Sequence, residues 1–340
     1  MLIFRKQPNR LAEQIAGNND AESRPWLTWL FFCTLIYALF ATSYAPSAFA
    51  GHHDKEHPDI AVLYPTVSQQ YSGMFEQYIK GIESVPGYNF ISYRVDSKTT
   101  VDTLKEWSEK NHIDGYIALG QTTYKLVDAL NSELPLIAGG MVATPPGISG
   151  ISLSGDPELF FRQLQLLNPN IHRVYFIYSQ KNNGWLVKRA RKISQKYNLE
   201  FIPLEVDGFK QATLQYKIVL KSVQPNTDAI WIPLDNIAPL DILLPDILQT
   251  SWDKHITVFS NNIMHVRRGT LFALYPEHFK QGRRLVALLQ RHLEKPNTPA
   301  LLYPSVDFKT AVNIRTATHL EMNYSKDLIK TFDQIFPAYK

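Results

Sequence analysis

Short apolar runs alternate with amphipathic stretches along most of the chain. The runs predict strands at residues 59–64, 88–95, 114–120, 135–139, 173–179, 200–206, 228–234, 256–260 and 270–275. Most are continuously apolar, which is typical of parallel strands buried on both faces. Between them, apolar residues recur at helical spacing, as at Phe75, Tyr78 and Ile82. Repeated strand–helix–strand order predicts an α/β fold with parallel sheets.

The same layout occurs twice. The runs that start at Asp59 and Asp114 are 55 residues apart, and so are those that start at Arg173 and Asp228. Equal spacing by chance is the alternative. The simpler interpretation is two doubly wound parallel-sheet lobes with a ligand cleft between them, because such sheets bind ligands at the carboxyl ends of their strands.

The predicted lobes are discontinuous. We expect lobe 1 at residues 58–150 with part of 270–300, and lobe 2 at residues 151–268 with part of 300–325. Residues 147–157 are predicted to make the first crossing between the lobes, and residues 326–340 to form a C-terminal tail.

The first fifty residues differ from the rest. A polar leader with several arginines precedes an apolar run at residues 26–44, and Ala48 and Ala50 then have the spacing of a signal-peptidase site. This order predicts a signal peptide at residues 1–50 that is cleaved before Gly51. An uncleaved membrane anchor is the alternative, because the apolar run is long enough to span a bilayer. In both cases, the rest of the chain is expected in the periplasm.

Composition narrows the functional classes. Hydrophobic residues make up 45% of the 340 residues, which excludes a disordered chain. The formal net charge of +4 is too small for a dedicated nucleic-acid-binding protein, so no nucleic acid is expected as a partner. The single cysteine, Cys33, lies in the leader, so the exported part has no thiol chemistry. A monomer is expected.

Catalytic and cofactor motifs are missing from the sequence. It contains no G-x-S-x-G, G-x-G-x-x-G, P-loop or H-E-x-x-H pattern, so we expect neither an enzyme nor a cofactor. One metal hypothesis concerns the new N-terminus. After cleavage, His53 would be the third residue and could complete a square-planar Cu(II) or Ni(II) site with the free amine. A flexible polar tail is the favoured interpretation of that segment.

Polar side chains follow the predicted strands in both halves. Because parallel strands end at one edge of each sheet, we expect these side chains to line the cleft and to bind a small polar ligand. Ordinary solvation of loops is the alternative for each residue. The predicted ligand-binding residues are Tyr64, Thr66, Gln121, Thr122, Asn182, Asp235, Asn236 and Asn261.

Two of these positions have a specific predicted role. Asp235 is expected to pair with a ligand ammonium group, because a carboxylate in a cleft is unfavourable when unpaired. The alternative is that Asp235 caps the helix that follows it. Gln121 and Thr122 lie where a helix N-terminus could bind a ligand carboxylate through backbone N–H groups.

Several segments resemble a known family. Residues 150–157 and 161–178 are similar to its crossing segment and second-lobe entry, and residues 227–236 end in its Asp-Asn pair. The segments at Gln281-Gly282-Arg283 and Val312-Asn313 are also similar. On these segments, residues 58–325 resemble the ABC transporter substrate-binding proteins of the tryptophan/tyrosine-binding type, with a type 1 periplasmic-binding-protein fold. The resemblance implies a solute receptor, with an aromatic amino acid as its ligand.

Two loops depart from the family pattern. Residues 179–185 replace the family's Asn-Pro-rich loop, and Thr144-Pro145-Pro146 replaces a longer ligand-contacting loop. On this resemblance, the predicted function is an ABC-transporter receptor that closes on a small polar ligand and presents it to a membrane permease. The alternative is a periplasmic sensor that signals through a membrane partner, because the same fold serves both functions.

Overall fold

Residues 56–337 are described by a computed structural model, for Gln70 and Tyr71 as backbone only. The predicted signal peptide at residues 1–50 and the hypothetical metal ligand His53 lie outside these residues. In chain order the strands are β1 Asp59–Pro65, β2 Asn89–Val95, β3 Gly115–Leu119, β4 Leu136–Gly139, β5 Gly150–Gly155, β6 Arg173–Tyr178, β7 Glu200–Glu205, β8 Asp228–Ile232, β9 Thr257–Ser260, β10 Phe272–Pro276, β11 Leu302–Ser305, β12 Phe308–Asn313 and β13 Gln334–Phe336.

Helices connect most of these strands. They are α1 Gln69–Glu83, α2 Val101–Lys110, α3 Gln121–Asp128, α4 Pro157–Leu167, α5 Gln180–Lys196, α6 Phe209–Ser222, α7 Leu240–Asp253, α8 Ile263–Arg268, α9 His278–Glu294, α10 Ile314–His319 and α11 Lys326–Ile329. Within residues 56–337, no helix is both long and apolar enough to cross a membrane.

The strands form two sheets, one in each lobe. The first has the order β11-β5-β4-β3-β1-β2 and is parallel throughout. The second has the order β13-β12-β10-β9-β8-β6-β7, and its only antiparallel pairing is between β10 and β12. The predicted α/β fold with two mainly parallel sheets is confirmed.

Apolar side chains explain why each sheet is covered on both faces. In β1, Ile60 and Val62 pack towards α1 and α9, whereas Ala61 and Leu63 pack towards α2 and α3. The side chains alternate between faces along a strand, so a continuously apolar strand needs a helix layer on each side. In lobe 2, α4 and α5 cover one face, and α6 and α7 cover the other.

The repeated spacing in the sequence corresponds to neighbouring strands. β1 pairs with β3, and β6 pairs with β8. The strand starts also interact. Asp114 accepts a hydrogen bond from the backbone N–H of Asp59 at 2.8 Å, and Arg173 makes two bonds to Asp228 at 2.7 and 2.9 Å.

Three segments cross between the lobes, at residues 155–157, 276–278 and 305–308. This arrangement corrects the predicted limits in three places. β5 belongs to the first sheet, although residues 147–157 were expected to be the crossing itself. β10 belongs to the second sheet, so the late first-lobe segment begins with α9. The expected C-terminal tail instead contains α11 and β13, and β13 pairs with β12.

Candidate functional site

Side chains and backbone groups tie the three crossings together. The backbone N–H of Asp156 donates to the Ser305 carbonyl at 2.9 Å, and that of Glu277 donates to the Asp307 carbonyl at 3.0 Å. Arg284 makes two bonds to the Asp307 carboxylate at 2.6 and 2.8 Å. The crossings therefore form one hydrogen-bonded unit beside the cleft.

Gln281 lies at the centre of this unit and is buried. Its side chain accepts a hydrogen bond from the Tyr78 hydroxyl and donates to Ser305 Oγ at 2.5 Å. Burial raises the pKa of Tyr78 far above its usual value, so this hydroxyl stays protonated and can donate. These hydrogen bonds offset the unfavourable burial of the polar Gln281 side chain.

Asp235, at the carboxyl edge of the second sheet, accepts five hydrogen bonds. Its Oδ2 accepts from the Ser179 N–H at 2.9 Å and from Asn183 Nδ2 at 3.0 Å. Its Oδ1 accepts from Asn182 Nδ2 at 2.8 Å, from the Ile237 N–H at 3.2 Å and from Ser179 Oγ at 3.4 Å. A carboxylate offers about four lone pairs, so protein donors fill its capacity.

This arrangement corrects the expected role of Asp235. Its carboxylate is buried, 8% exposed, and it joins the β8–α7 loop to the start of α5. The Asp235 carboxylate is therefore not left unpaired for a ligand ammonium. Asn182, also predicted to bind ligand, donates a hydrogen bond from its side-chain amide to Asp235. Together the two residues position the loops that border the cleft.

The other predicted residues of lobe 2 lie beside this cluster. Asp235, Asn236 and Asn261 line a cavity of about 260 Å³ at the strand ends. Asn261 is buried, and its Oδ1 accepts from Trp231 Nε1 at 2.9 Å, whereas Asn236 is exposed. Trp231 stacks on Phe160 with ring centres 4.6 Å apart, so the hydrophobic core fixes the position of Asn261.

The predicted residues of lobe 1 fall into two groups. Tyr64 and Thr66 line a cavity of about 380 Å³ together with Glu76 and Arg94. Gln121 and Thr122 are exposed in the first turn of α3, where Gly120 provides no side-chain cap. The structure thus places all four at the carboxyl edge of the first sheet.

The two loops that depart from the family pattern contact each other across the lobes. Thr144 Oγ1 donates to the Lys181 carbonyl at 2.7 Å, and Ser154 Oγ donates to Asn183 Oδ1 at 3.3 Å. Trp185 of α5 packs against Met141 and its neighbours in lobe 1. Sequence reasoning did not predict this interlobe contact, because spacing carries no information on which loops meet.

His265 is a further residue of the lobe 2 cavity that sequence reasoning missed. The sequence offered one signal for it, because His265 lies four residues after the predicted ligand-binding residue Asn261. Its Nδ1 lies 3.1 Å from Ser260 Oγ. Burial, with a smaller contribution from the Arg268 charge, lowers its pKa from 6.5 to about 4, against an opposing effect of Asp241. The ring is therefore neutral at pH 7 and acts as a hydrogen-bonding group.

The lowered pKa of His265 predicts a pH-dependent stability. Between pH 6.5 and about 4 only the unfolded chain binds a proton at this residue, so the free energy of unfolding falls as the pH falls through this window. A His265→Asn variant, whose amide can replace Nδ1 beside Ser260, should lose less stability between pH 7 and pH 5. Urea unfolding at the two pH values measures this. An equal loss of stability in the wild type and the variant would contradict the lowered pKa of His265. Burial also lowers the pKa of His278, and this residue contributes the same pH dependence to both proteins.

No group of three or more metal-binding side chains occurs among the residues that the structure describes. The chemistry at the strand ends is that of amides, hydroxyls, one neutral imidazole and carboxylates. Such groups bind a small polar solute by hydrogen bonds.

Comparisons with known proteins identify the family and the fold. Residues 144–335, more than half of the chain, match a protein family described as "ABC transporter substrate binding protein". A comparison with curated protein sequences finds no match.

Solved structures share the fold at low sequence identity. A ligand-free, open substrate-binding protein with adhesive properties from Clostridium difficile has a TM-score of 0.57 at 14% identity, with 82% of this chain and 98% of that chain covered. An ABC domain in complex with L-Trp from Streptococcus pneumonia has a TM-score of 0.52 at 15% identity, with 82% and 100% covered. A conserved domain protein from Vibrio cholerae has a TM-score of 0.53 at 13% identity, with 83% and 100% covered.

Proposed function

The chain belongs to the family of ABC transporter substrate-binding proteins, and from this premise we propose that it is a periplasmic receptor that binds an aromatic amino acid between its lobes and delivers it to an ABC permease. The leader at residues 1–50 supports export. The observation that carries the proposal is the pair of half-sites, one at the carboxyl edge of each sheet, on the two sides of a hydrogen-bonded set of crossings.

The half-sites support binding by closure. The cavity with Tyr64 and Thr66 is lined by lobe 1 alone, and the cavity with Asn236 and His265 is lined by lobe 2 alone. A ligand that contacts both half-sites binds the closed state more tightly than the open one, and this difference in affinity drives closure. A membrane partner can then distinguish loaded from empty receptor.

Polar groups of both lobes suit an amino acid. The uncapped first turn of α3, at Gln121 and Thr122, offers backbone N–H groups to a carboxylate. Asp241 lines the lobe 2 cavity and is exposed, so it replaces Asp235 as the proposed partner of the ligand ammonium. Phe209 lines the same cavity and is 62% exposed, so it can pack against an aromatic ring. The L-Trp bound to the Streptococcus relative supports this ligand class.

Thermal unfolding with a panel of amino acids and other small polar solutes tests the proposal. At a hundredfold excess over Kd, a specific ligand should stabilise the folded protein by about 2.7 kcal/mol. We expect tryptophan or tyrosine to raise Tm, and the rise to be lost in Asp241→Asn and reduced in Asn236→Ala.

Gln195→Ala is the matched control, because this exposed residue lies at the far end of α5 from the cleft. It should respond to ligand like the wild type. A rise with a different solute would keep the receptor and reject the aromatic ligand. A rise with tryptophan that survives Asp241→Asn would reject the proposed ammonium partner.

A further inference from the structure

A second cavity lies at the end of lobe 2 that is remote from the cleft. It has a volume of about 930 Å³, larger than either half-site cavity. Its wall contains the second half of α7, the end of α8, and the ends of β12 and β13. Because β12 runs antiparallel to β10, its end at Asn313 lies at the amino edge of the parallel strands. The two sites are therefore at opposite edges of one sheet.

Three exposed arginines, Arg267, Arg268 and Arg315, line this cavity, and no acidic side chain among residues 56–337 does. Within residues 56–337, none of the three forms an ion pair. One lining residue, Gln249, donates from Nε2 to the Asp253 carboxylate at 2.9 Å. The wall thus concentrates three positive charges.

Three arginines elsewhere in the protein are paired with aspartates. Arg173, Arg189 and Arg284 each make two bonds to an aspartate, with the shorter bond at 2.6 or 2.7 Å. Those arginines have their guanidinium groups neutralised by the fold. The arginines of the second cavity keep their donors available for an external anion.

Aromatic packing holds one of the three in place. The Arg315 guanidinium lies 5.6 Å from the centre of the Trp252 ring, and His319 stacks on the same indole at 3.5 Å. His319 Nε2 also lies 2.8 Å from the Trp252 carbonyl oxygen. A guanidinium over an aromatic ring keeps its N–H donors in its own plane, where they can bind an oxyanion.

We propose that this cavity, defined by Arg267, Arg268 and Arg315, binds a phosphate-bearing anion independently of the cleft. A phosphate group carries close to two negative charges and three acceptor oxygens, whereas a carboxylate carries one charge and two oxygens. Three guanidinium groups are therefore better matched by phosphate or diphosphate. Leu248 and Phe336 on the same wall can contact an apolar part of the ligand.

Calorimetric titration of the full-length protein with inorganic pyrophosphate tests the proposal. The double variant Arg267→Gln/Arg268→Gln and the single variant Arg315→Gln should each raise Kd about tenfold or more, because each removes charge-assisted hydrogen bonds. The matched control is Arg191→Gln/Lys192→Gln, which removes two exposed charges from α5, a helix that contributes no residue to the cavity wall. Its Kd should equal that of the wild type.

A second arm distinguishes the source of the phosphate. Vesicles of phosphatidylcholine with and without phosphatidylglycerol are sedimented with the same four proteins. Binding to pyrophosphate alone indicates a soluble ligand, and arginine-dependent binding only to the anionic vesicles indicates a lipid headgroup. The proposal is overturned when neither probe binds, or when the α5 control loses as much binding as the cavity variants. Circular dichroism of the variants checks that the exposed substitutions leave the fold intact.

Discussion

Replacement of Asp235 by alanine is expected to lower the free energy of unfolding by roughly 2–5 kcal/mol. The substitution removes the acceptor for five hydrogen bonds. The Ser179 N–H and Asn183 Nδ2 are left buried without a partner, and each unsatisfied buried donor is unfavourable by about 1–3 kcal/mol. Urea unfolding in the absence of any ligand measures the effect.

The neighbouring residue provides the control. Asn236 is exposed and makes no comparable set of bonds, so Asn236→Ala should change stability by less than about 0.5 kcal/mol. If Asp235 instead served a ligand ammonium, its removal would weaken ligand binding and leave the empty protein as stable as Asn236→Ala. That outcome would restore the role expected from the sequence.

The second large effect is expected where α1 and α9 pack. A Cβ added to Gly81 would lie 2.0 Å from the Phe279 carbonyl oxygen, and one added to Gly282 would lie 2.3 Å from the Tyr78 carbonyl oxygen. Backbone atoms cannot move aside as a flexible side chain can, so the two helices would have to separate. Gly81→Ala and Gly282→Ala should each destabilise the protein by about 3 kcal/mol.

Gly73 in the same helix α1 should respond with the opposite sign. It is exposed, and an added Cβ would meet no atom within 4 Å. Alanine has the higher helix propensity, so Gly73→Ala should stabilise by about 0.5–1 kcal/mol. Thermal unfolding of the three variants compares them directly. Similar changes at Gly73 and Gly81 would show that the close approach of the helices is not what requires glycine.

Most of the strands that the sequence predicted are continuously apolar. All nine are present. Strands buried on both faces need apolar residues at every position, whereas the edge strands β2 and β7 also contain polar residues. The missed strands lack this signature. The four missed strands are β5, which reads GISLSG, β11, an edge strand that contains Pro304, β12, which reads FKTAVN, and β13, which has three residues. Their pairing depends on the sheet edge that receives them, so a local pattern does not indicate it.

The sequence predicted that the candidate residues lie at the strand ends, but it did not predict their hydrogen bonds. The rule that ligands bind at the carboxyl ends of parallel strands placed the predicted residues at the two sheet edges. It could not distinguish a residue that faces the cleft, such as Asn236, from one that is engaged by the protein, such as Asp235. His265 and Asp241 were missed because neither belongs to a motif.

The sequence by itself determined the α/β class, the two lobes and the family, since these depend on local hydrophobic pattern and on short ordered motifs. Only the tertiary structure decided the role of Asp235, whose bonds reach residues 52, 53 and 56 positions away. It alone also brought Arg267 and Arg315 to one cavity. Hydrogen bonds and charge clusters form between groups that packing places together, and spacing along the chain does not reveal which groups those are.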